Sequence, residues 1–278
     1  MSKTKITKVS QFLTWVRNSH SSTSFGLKWD HSKVFYRGQG NDSWDILPSL
    51  FRENIMLEHD LLKAAENILW NELATTNSYL EKLILLQHYG LSTRLIDVTT
   101  NPLVALYFAC KEEKDDKGKE TNGVVWCGYP TNDENYNSIE RICSIPFELQ
   151  LEPPVSEIPG WNFDNQKDKS ILTCTYYINP PMNNPRINAQ NGAFLLPPLL
   201  EEDKNSGEYF VNKKNVNDLF SGKITIPADS KIALRNELME YGIHEGTLFP
   251  DIEHKIKYIK TIVNNSIPRL ANNWQEAE

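Results

Sequence analysis

Residues 87–109, QHYGLSTRLIDVTTNPLVALYFA, constrain the fold more than any other part of the chain. Hydroxyls, an amide, an imidazole and two opposite charges crowd the first half, the density expected where a polar ligand or a turn is fixed. The second half reads as a helix. Asn101-Pro102 opens it with proline at the favoured first position, and Leu103, Leu106, Tyr107 and Cys110 follow. Before this block, a helix from Ser78 carries Leu80, Leu83, Ile84 and Gln87 and stops at Gly90, which suits the left-handed position after a helix end. The spacing therefore predicts helix, an extended piece over Ser92 to Asp97, and helix again.

The rest of the pattern fills in around that block. Val9, Phe12, Leu13 and Val16 recur at helical spacing. Lys33 to Arg37 reads as the first strand, ending at a sharp turn over Gly38-Gln-Gly40 where a ligand could approach the backbone. Met56 to Thr76 reads as one long helix with Leu61, Leu62, Ala65, Ile68, Leu69 and Leu73 on its core face. Gly123 to Cys127, Ile171 to Ile178, Gly192 to Leu196 and Lys223 to Ile226 read as strands, and residues 129–160 as an irregular loop or small insertion. Two closing helices are expected, Ser230 to Tyr241, ended by Gly242, and Asp251 to Val263. Helices early and late with strands mainly between predict an α+β fold. We read residues 1–278 as a single domain, with a motif-bearing core over about 30–200, an insertion within 129–170, and a strand and helices over 201–278 packing on the same core.

Composition excludes several classes. A chain of 278 residues with 40% hydrophobic content buries a substantial core. Its net charge of -7 argues against generic duplex DNA binding, which uses a broad basic surface to displace counterions. Cys110, Cys127, Cys143 and Cys174 stand singly, so neither a CxxC zinc site nor dithiol exchange is expected, and no metal is predicted. The lysine-bearing start lacks the apolar stretch of a secretory signal, and no segment reads as a membrane span. The expectation is a cytoplasmic protein without a membrane partner.

The common catalytic signatures GxxxxGK[ST], HExxH, GxSxG and GxGxxG do not occur, and His244-Glu245 is only a fragment of one. Three polar clusters remain. In the first, Tyr36-Arg37-Gly38-Gln39-Gly40, the guanidinium fork of Arg37 suits a diphosphate or carboxylate, and equally an ion pair with one of the abundant acids. The second is the block above. There Arg94 and Asp97 could form a structural ion pair, Thr99 or Thr100 could cap the next helix, and His88 could be a core histidine. The third runs from Arg186 through Gln190, Asn191 and Gly192 to Phe194, where the Gln190 amide suits a ribose hydroxyl, a carboxamide or a neighbouring loop.

The YRG turn, the long central block and AQNGAF together resemble the FRG domain family, from Phe35 to Phe194, with Gly242-Ile243 and Leu248 to Asp251 in the same style. That family is similar, more distantly, to the ADP-ribosyltransferase superfamily. The resemblance implies an ADP-ribosyltransferase-like mixed or antiparallel sheet core flanked by helices. It implies NAD as substrate, with ADP-ribosyl transfer or NAD hydrolysis as the activity. Catalytic roles then fall on Arg37 for the phosphates or ribose, Thr93 for the nicotinamide ribose, and Gln190 at the third motif. Tyr36, Gly38, Gln39, His88, Ser92, Arg94 and Asp97 become nucleotide-binding candidates. Where the superfamily places a glutamate, Gln190 carries an amide, which cannot serve as a base. Asp97 is the nearest motif carboxylate. The implied alternatives are a defence or toxin effector acting on a protein or nucleic acid acceptor, and a non-catalytic module binding a nucleotide, an RNA or a protein.

Overall fold

The computed structural model describes residues 5–21, 34–52, 58–130, 136–145, 155–158, 160–180, 184–212 and 214–251. In chain order, α1 (Val9–Ser21) precedes β1 (Phe35–Gln39), and α2 (Ser49–Arg52), α3 (Glu58–Ile68), α4 (Trp70–Leu73) and α5 (Tyr79–His88) lead to β2 (Ile96–Thr99). Then come α6 (Pro102–Ala109), β3 (Gly123–Gly128), α7 (Tyr136–Cys143), α8 (Gln166–Thr173), β4 (Tyr176–Ile178), α9 (Pro185–Ala189) and β5 (Gly192–Leu196). The pair β6 (Leu200–Glu202) and β7 (Tyr209–Val211), then β8 (Phe220–Ile226), α10 (Lys231–Glu240) and α11 (Glu245–Leu248) complete the order.

Six strands make one antiparallel sheet in the order β4-β5-β2-β1-β3-β8, and β6 with β7 makes a separate hairpin. Strand alternation gives the sheet two faces. Phe35, Ile96, Val98, Val124, Trp126, Ala193 and Leu195 pack on one, beneath Ile46, Val216 and Phe220. Tyr36, Val125 and Cys127 face the other way, against α1, α6 and α10 through Phe12, Val104, Ala105 and Leu234. On that second face, Phe194, Leu196 and Ile178 meet α5, α7 and α8 through Leu83, Ile84, Ile139 and Leu172. The architecture is α+β, an antiparallel sheet flanked by helices.

Two missing β-carbons let α6 lie directly on the sheet. A β-carbon at Gly38 would stand 1.8 Å from the Ala105 carbonyl oxygen, and one at Gly123 would stand 1.9 Å from that of Ala109. Helix α6 itself starts where Asn101 accepts a hydrogen bond from Leu103 N at 3.0 Å, with Pro102 at its first position. Behind it, Lys231 of α10 is almost fully buried, and its ammonium donates to the carbonyls of Gly40 (2.8 Å) and Lys111 (2.9 Å) and to Glu120 (2.6 Å). Every proton of that ammonium is used, which is how a buried lysine is tolerated.

Several expectations are corrected. Gly38 is not at a turn, because β1 runs through it to Gln39; its missing side chain makes room for α6, not for a turn. The long helix breaks at Leu69 (φ -108, ψ 29) into α3 and α4. The extended piece shifts, with β2 beginning at Ile96 and Thr93 bonded locally to Leu95 N at 3.1 Å. Ile171 is helical, because Asn165 caps Lys167 N and starts α8, so only Tyr176–Ile178 remains strand. The irregular region contains α7, and β6 and β7 were not expected. Thr99 and Thr100 do not cap α6. Gly90 (φ 94) and Gly242 (φ 73) do take the left-handed conformation after α5 and α10. The helix expected over Asp251 to Val263 lies, beyond its first residue, outside the described residues.

Gly38→Ala is expected to destabilise the fold by at least 1–3 kcal/mol, roughly the cost of overpacking a core, read as a lowered midpoint in urea. Burial pushes the thiols of Cys110 and Cys143 up to about 12 and also raises Cys127, whereas Cys174 is only partly buried. The folded protein should therefore react with a thiol reagent at pH 8 through Cys174 first, and through the other three only on unfolding.

Candidate active site

The sheet is nearly interrupted at its centre. Strands β1 and β2 meet at one residue pair, Tyr36 opposite Thr99, although each has a longer ladder with its other neighbour. Past that pair the backbone oxygen of Asp97 takes its hydrogen bond from Arg37 Nη1 instead of from β1. A side chain thus occupies a bonding position the backbone leaves open. Over this junction lies a cavity of about 230 Å³. Tyr36, Arg37 and Gly38 from β1, Asp97 to Thr99 from β2, and Val104 and Phe108 from α6 contribute to its lining. Ile84, Gln87 and His88 from α5, with Arg186, Ile187 and Gln190 from α9 and its end, and Phe194 from β5, contribute the rest.

Arg37 is the electrostatic centre of this cavity. Its Nε is buried and has no hydrogen-bond partner among the described residues. Burial pulls the guanidinium below its ordinary pKa, with Asp97 opposing that shift and Arg52 adding to it. It remains charged, since an arginine starts so high. A buried N–H without an acceptor costs about 1–3 kcal/mol, more on a charged group, unless something supplies one.

Asp97 is held beside it by a short relay. Thr93 Oγ1 donates to Gln87 Oε1, and Gln87 Nε2 donates to Asp97 Oδ1 at 2.8 Å. The amide of Gln87 is therefore oriented by the threonine and in turn presents a donor to the carboxylate. Thr93 is buried (1% exposed) and is not part of the cavity lining; its place is one step behind Gln87. Ser92, Gln39 and Arg94 are likewise not lining residues. Gln39 accepts from Trp126 Nε1 at 2.9 Å on the opposite face.

Arg94 does not pair with Asp97. Its Nε reaches Glu58 Oε1 and Oε2 at 3.1 and 3.0 Å, its Nη2 reaches Glu58 Oε2 at 2.5 Å, and its Nη1 donates to Ile142 O at 3.2 Å. Both partners are buried, at 4% and 1% exposure, so this fork ties α3 and α7 to the segment before β2. The pairing leaves the Asp97 carboxylate to Gln87 and the cavity.

The opposite wall is set by the turn after α9. Asn184 caps that helix, accepting from Arg186 N at 2.9 Å. At the other end, Thr99 Oγ1 donates to Gln190 O at 2.6 Å and Thr100 N to Asn191 O at 3.0 Å. Asn191 takes φ 46, a left-handed conformation that asparagine tolerates. Gln190 lines the cavity, but its Nε2 is engaged by Leu248 O at 3.0 Å. His88 is half-buried on the wall. Burial first, then the nearby Arg186 charge, lower its pKa, against an opposing pull from Asp251.

Gln87, Thr99 and Arg186 are polar lining residues that the sequence patterns do not mark as ligand contacts. A signal existed for Gln87: it lies three residues beyond the core-facing Ile84, in the last turn before Gly90, and so faces β2. Arg186 follows the Asn184-Pro185 start of α9, which brings its side chain back over α5.

Glu58→Gln should leave Arg94 as an uncompensated buried charge and cost about 3–5 kcal/mol in urea unfolding, whereas Asp97→Asn, on an exposed residue, should cost less than about 1 kcal/mol.

The FRG domain family model matches residues 32–118, which include β1, α5, β2 and α6 and so Arg37, Gln87, His88 and Asp97. Arg186, Gln190 and Phe194 lie beyond that match. No curated protein and no solved structure matches the chain. Among the described residues no helix is long and apolar enough to cross a membrane, and no group of three His, Cys, Asp or Glu side chains converges as for a metal ion. A strand arginine at the floor of the cavity and a strand, turn and helix block around it coincide with the matched stretch: the chain carries an FRG domain over residues 32–118.

Proposed function

We propose that the cavity binds a nucleotide of the NAD type and that the protein cleaves its nicotinamide–ribose bond, by ADP-ribosyl transfer or by hydrolysis. The observation that carries the proposal is Arg37, a guanidinium whose buried Nε has no partner among the described residues, at the floor of a cavity. An anionic oxygen would supply the missing acceptor, and the fork geometry suits phosphate. A volume of about 230 Å³ is below the range of about 300–1,000 Å³ usual for drug-sized ligands, so one end of a dinucleotide would sit inside and the rest at the mouth.

The chemistry asks for stabilisation of positive charge on the ribose as nicotinamide departs. Asp97 supports this role, because its carboxylate lines the cavity and is oriented by Gln87. A fixed carboxylate beside a developing cation lowers the barrier without moving a proton. Gln190 offers no such charge, and one of its two amide N–H donors goes to Leu248 O. Thr93 acts through Gln87 as a positioning residue. Asp97, not the third-motif position, is therefore our assigned stabilising group.

The engaged Gln190 also favours a second reading, a non-catalytic nucleotide-binding module on the same scaffold. Cytoplasmic action as a defence or toxin effector on a protein or nucleic acid acceptor is a further proposal that follows the first reading.

Purified protein incubated with NAD labelled in the nicotinamide ring, with and without cell extract, should release nicotinamide. Arg37→Ala should lower the rate by at least tenfold through weaker binding, and Asp97→Asn by a hundredfold or so in kcat, in line with loss of one electrostatic group. Binding of NAD in calorimetry without release would select the binding module; neither binding nor release would sink both readings.

A further inference from the structure

The cavity holds a second guanidinium with no carboxylate of its own. Arg186 lines the same cavity as Arg37, and among the described residues neither forms a salt bridge. Two guanidinium groups thus line the cavity with one lining carboxylate, Asp97, while Asp251 acts on His88 at the wall. The Arg186 head is held from behind by the ring of Phe249, 5.0 Å from its centroid, and by one long hydrogen bond from Nη1 to His88 O at 3.4 Å. Most of its five donors therefore remain for something else.

A third cation tightens the argument. Lys111 lies over the same Phe249 ring at 5.5 Å and over Phe108, itself a lining residue, at 4.8 Å. Burial and the Arg186 charge both lower the Lys111 pKa, while Glu245 and Glu113 oppose them. Two cations gathered at one ring repel each other, and an anion at the mouth relieves that repulsion at both. Arg37 and Arg186 line the cavity from β1 and α9, and Lys111 shares the Phe249 ring with Arg186.

We infer that Arg37 and Arg186 together clamp a diphosphate, so that the site selects nucleoside diphosphates and their esters over monophosphates. This rests on the nucleotide reading of the cavity given above. Each guanidinium can take one phosphate through paired N–H donors, and Phe249 keeps the Arg186 plane fixed for that purpose. Arg186 thereby becomes a specificity-determining residue for the length of the anionic chain.

Calorimetric titration of the full chain with adenosine, AMP, ADP, ADP-ribose and inorganic pyrophosphate tests this. ADP and ADP-ribose should bind roughly tenfold or more tightly than AMP, as one more charge-assisted contact implies. Arg186→Gln should erase that preference by weakening ADP and ADP-ribose more than AMP, with an unchanged thermal melting midpoint showing that the variant is folded. Arg186→Lys, which keeps the charge without the fork, should retain part of it. Equal affinity for AMP and ADP in the wild type, or an undiminished preference in Arg186→Gln, overturns the clamp and leaves the nucleotide reading standing. Pyrophosphate binding that needs Arg186, with no binding of any nucleotide, keeps the clamp and removes the nucleotide. No binding by any of the five removes both.

Discussion

Everything in the site is referenced to the contact between α6 and the sheet. The Ala105 and Ala109 carbonyls press where β-carbons of Gly38 and Gly123 would be, so the helix axis cannot ride at the usual side-chain distance from the strands. That closeness brings Val104 and Phe108 down to the level of Tyr36 and Arg37 and makes α6 one wall of the cavity. The buried ammonium of Lys231 reinforces the arrangement from behind, joining the end of β1, the end of α6 and the acidic turn before β3 through three acceptors. The helix is thus fixed from two sides before any ligand is considered.

The cavity itself arises from what the sheet omits. A continuous antiparallel ladder between β1 and β2 would close the floor, and Arg37 would then be an ordinary strand residue pointing to the opposite face with Phe35 and Gln39. Because the ladder stops after one pair, the guanidinium bonds to Asp97 O and is turned toward the cavity. A weakened junction at the middle of a sheet costs stability. Here it is offset by the ladders on either side, β1 with β3 and β2 with β5, and by the Arg94–Glu58 fork that anchors the approach to β2.

Much of the frame was legible in the sequence because its signals are local. The Asn101-Pro102 and Ser78 helix starts, the left-handed glycines at 90 and 242, and the strands at 123 and 192 each follow from a few adjacent residues. Long-range partners were not legible. Nothing near Arg94 announces Glu58, 36 residues earlier, and a nearer acid at Asp97 invited the wrong pairing. Gly38 read as a turn because its reason, a helix carbonyl from residue 105, lies elsewhere in the chain. Ile171 read as strand from its β-branched neighbourhood, yet the Asn165 cap upstream set the local outcome. At the site, the three polar clusters were visible as clusters, but the relay through Gln87 and the role of Phe249 behind Arg186 depend on how separate helices meet.

The placement of the matched FRG stretch within the sheet has a consequence for dissection of the molecule. Residues 32–118 contribute β1 and β2, joined by one ladder pair and the Arg37–Asp97 O hydrogen bond, while the strands that satisfy their other edges, β3 and β5, lie outside it. An excised piece with those limits would expose two unpaired strand borders and the apolar side of α6 that α1 and α10 cover, the conditions for self-association into aggregates. The recognisable motif and the packed cluster that holds α6 therefore have different limits, and the cluster includes residues of α1 and α10.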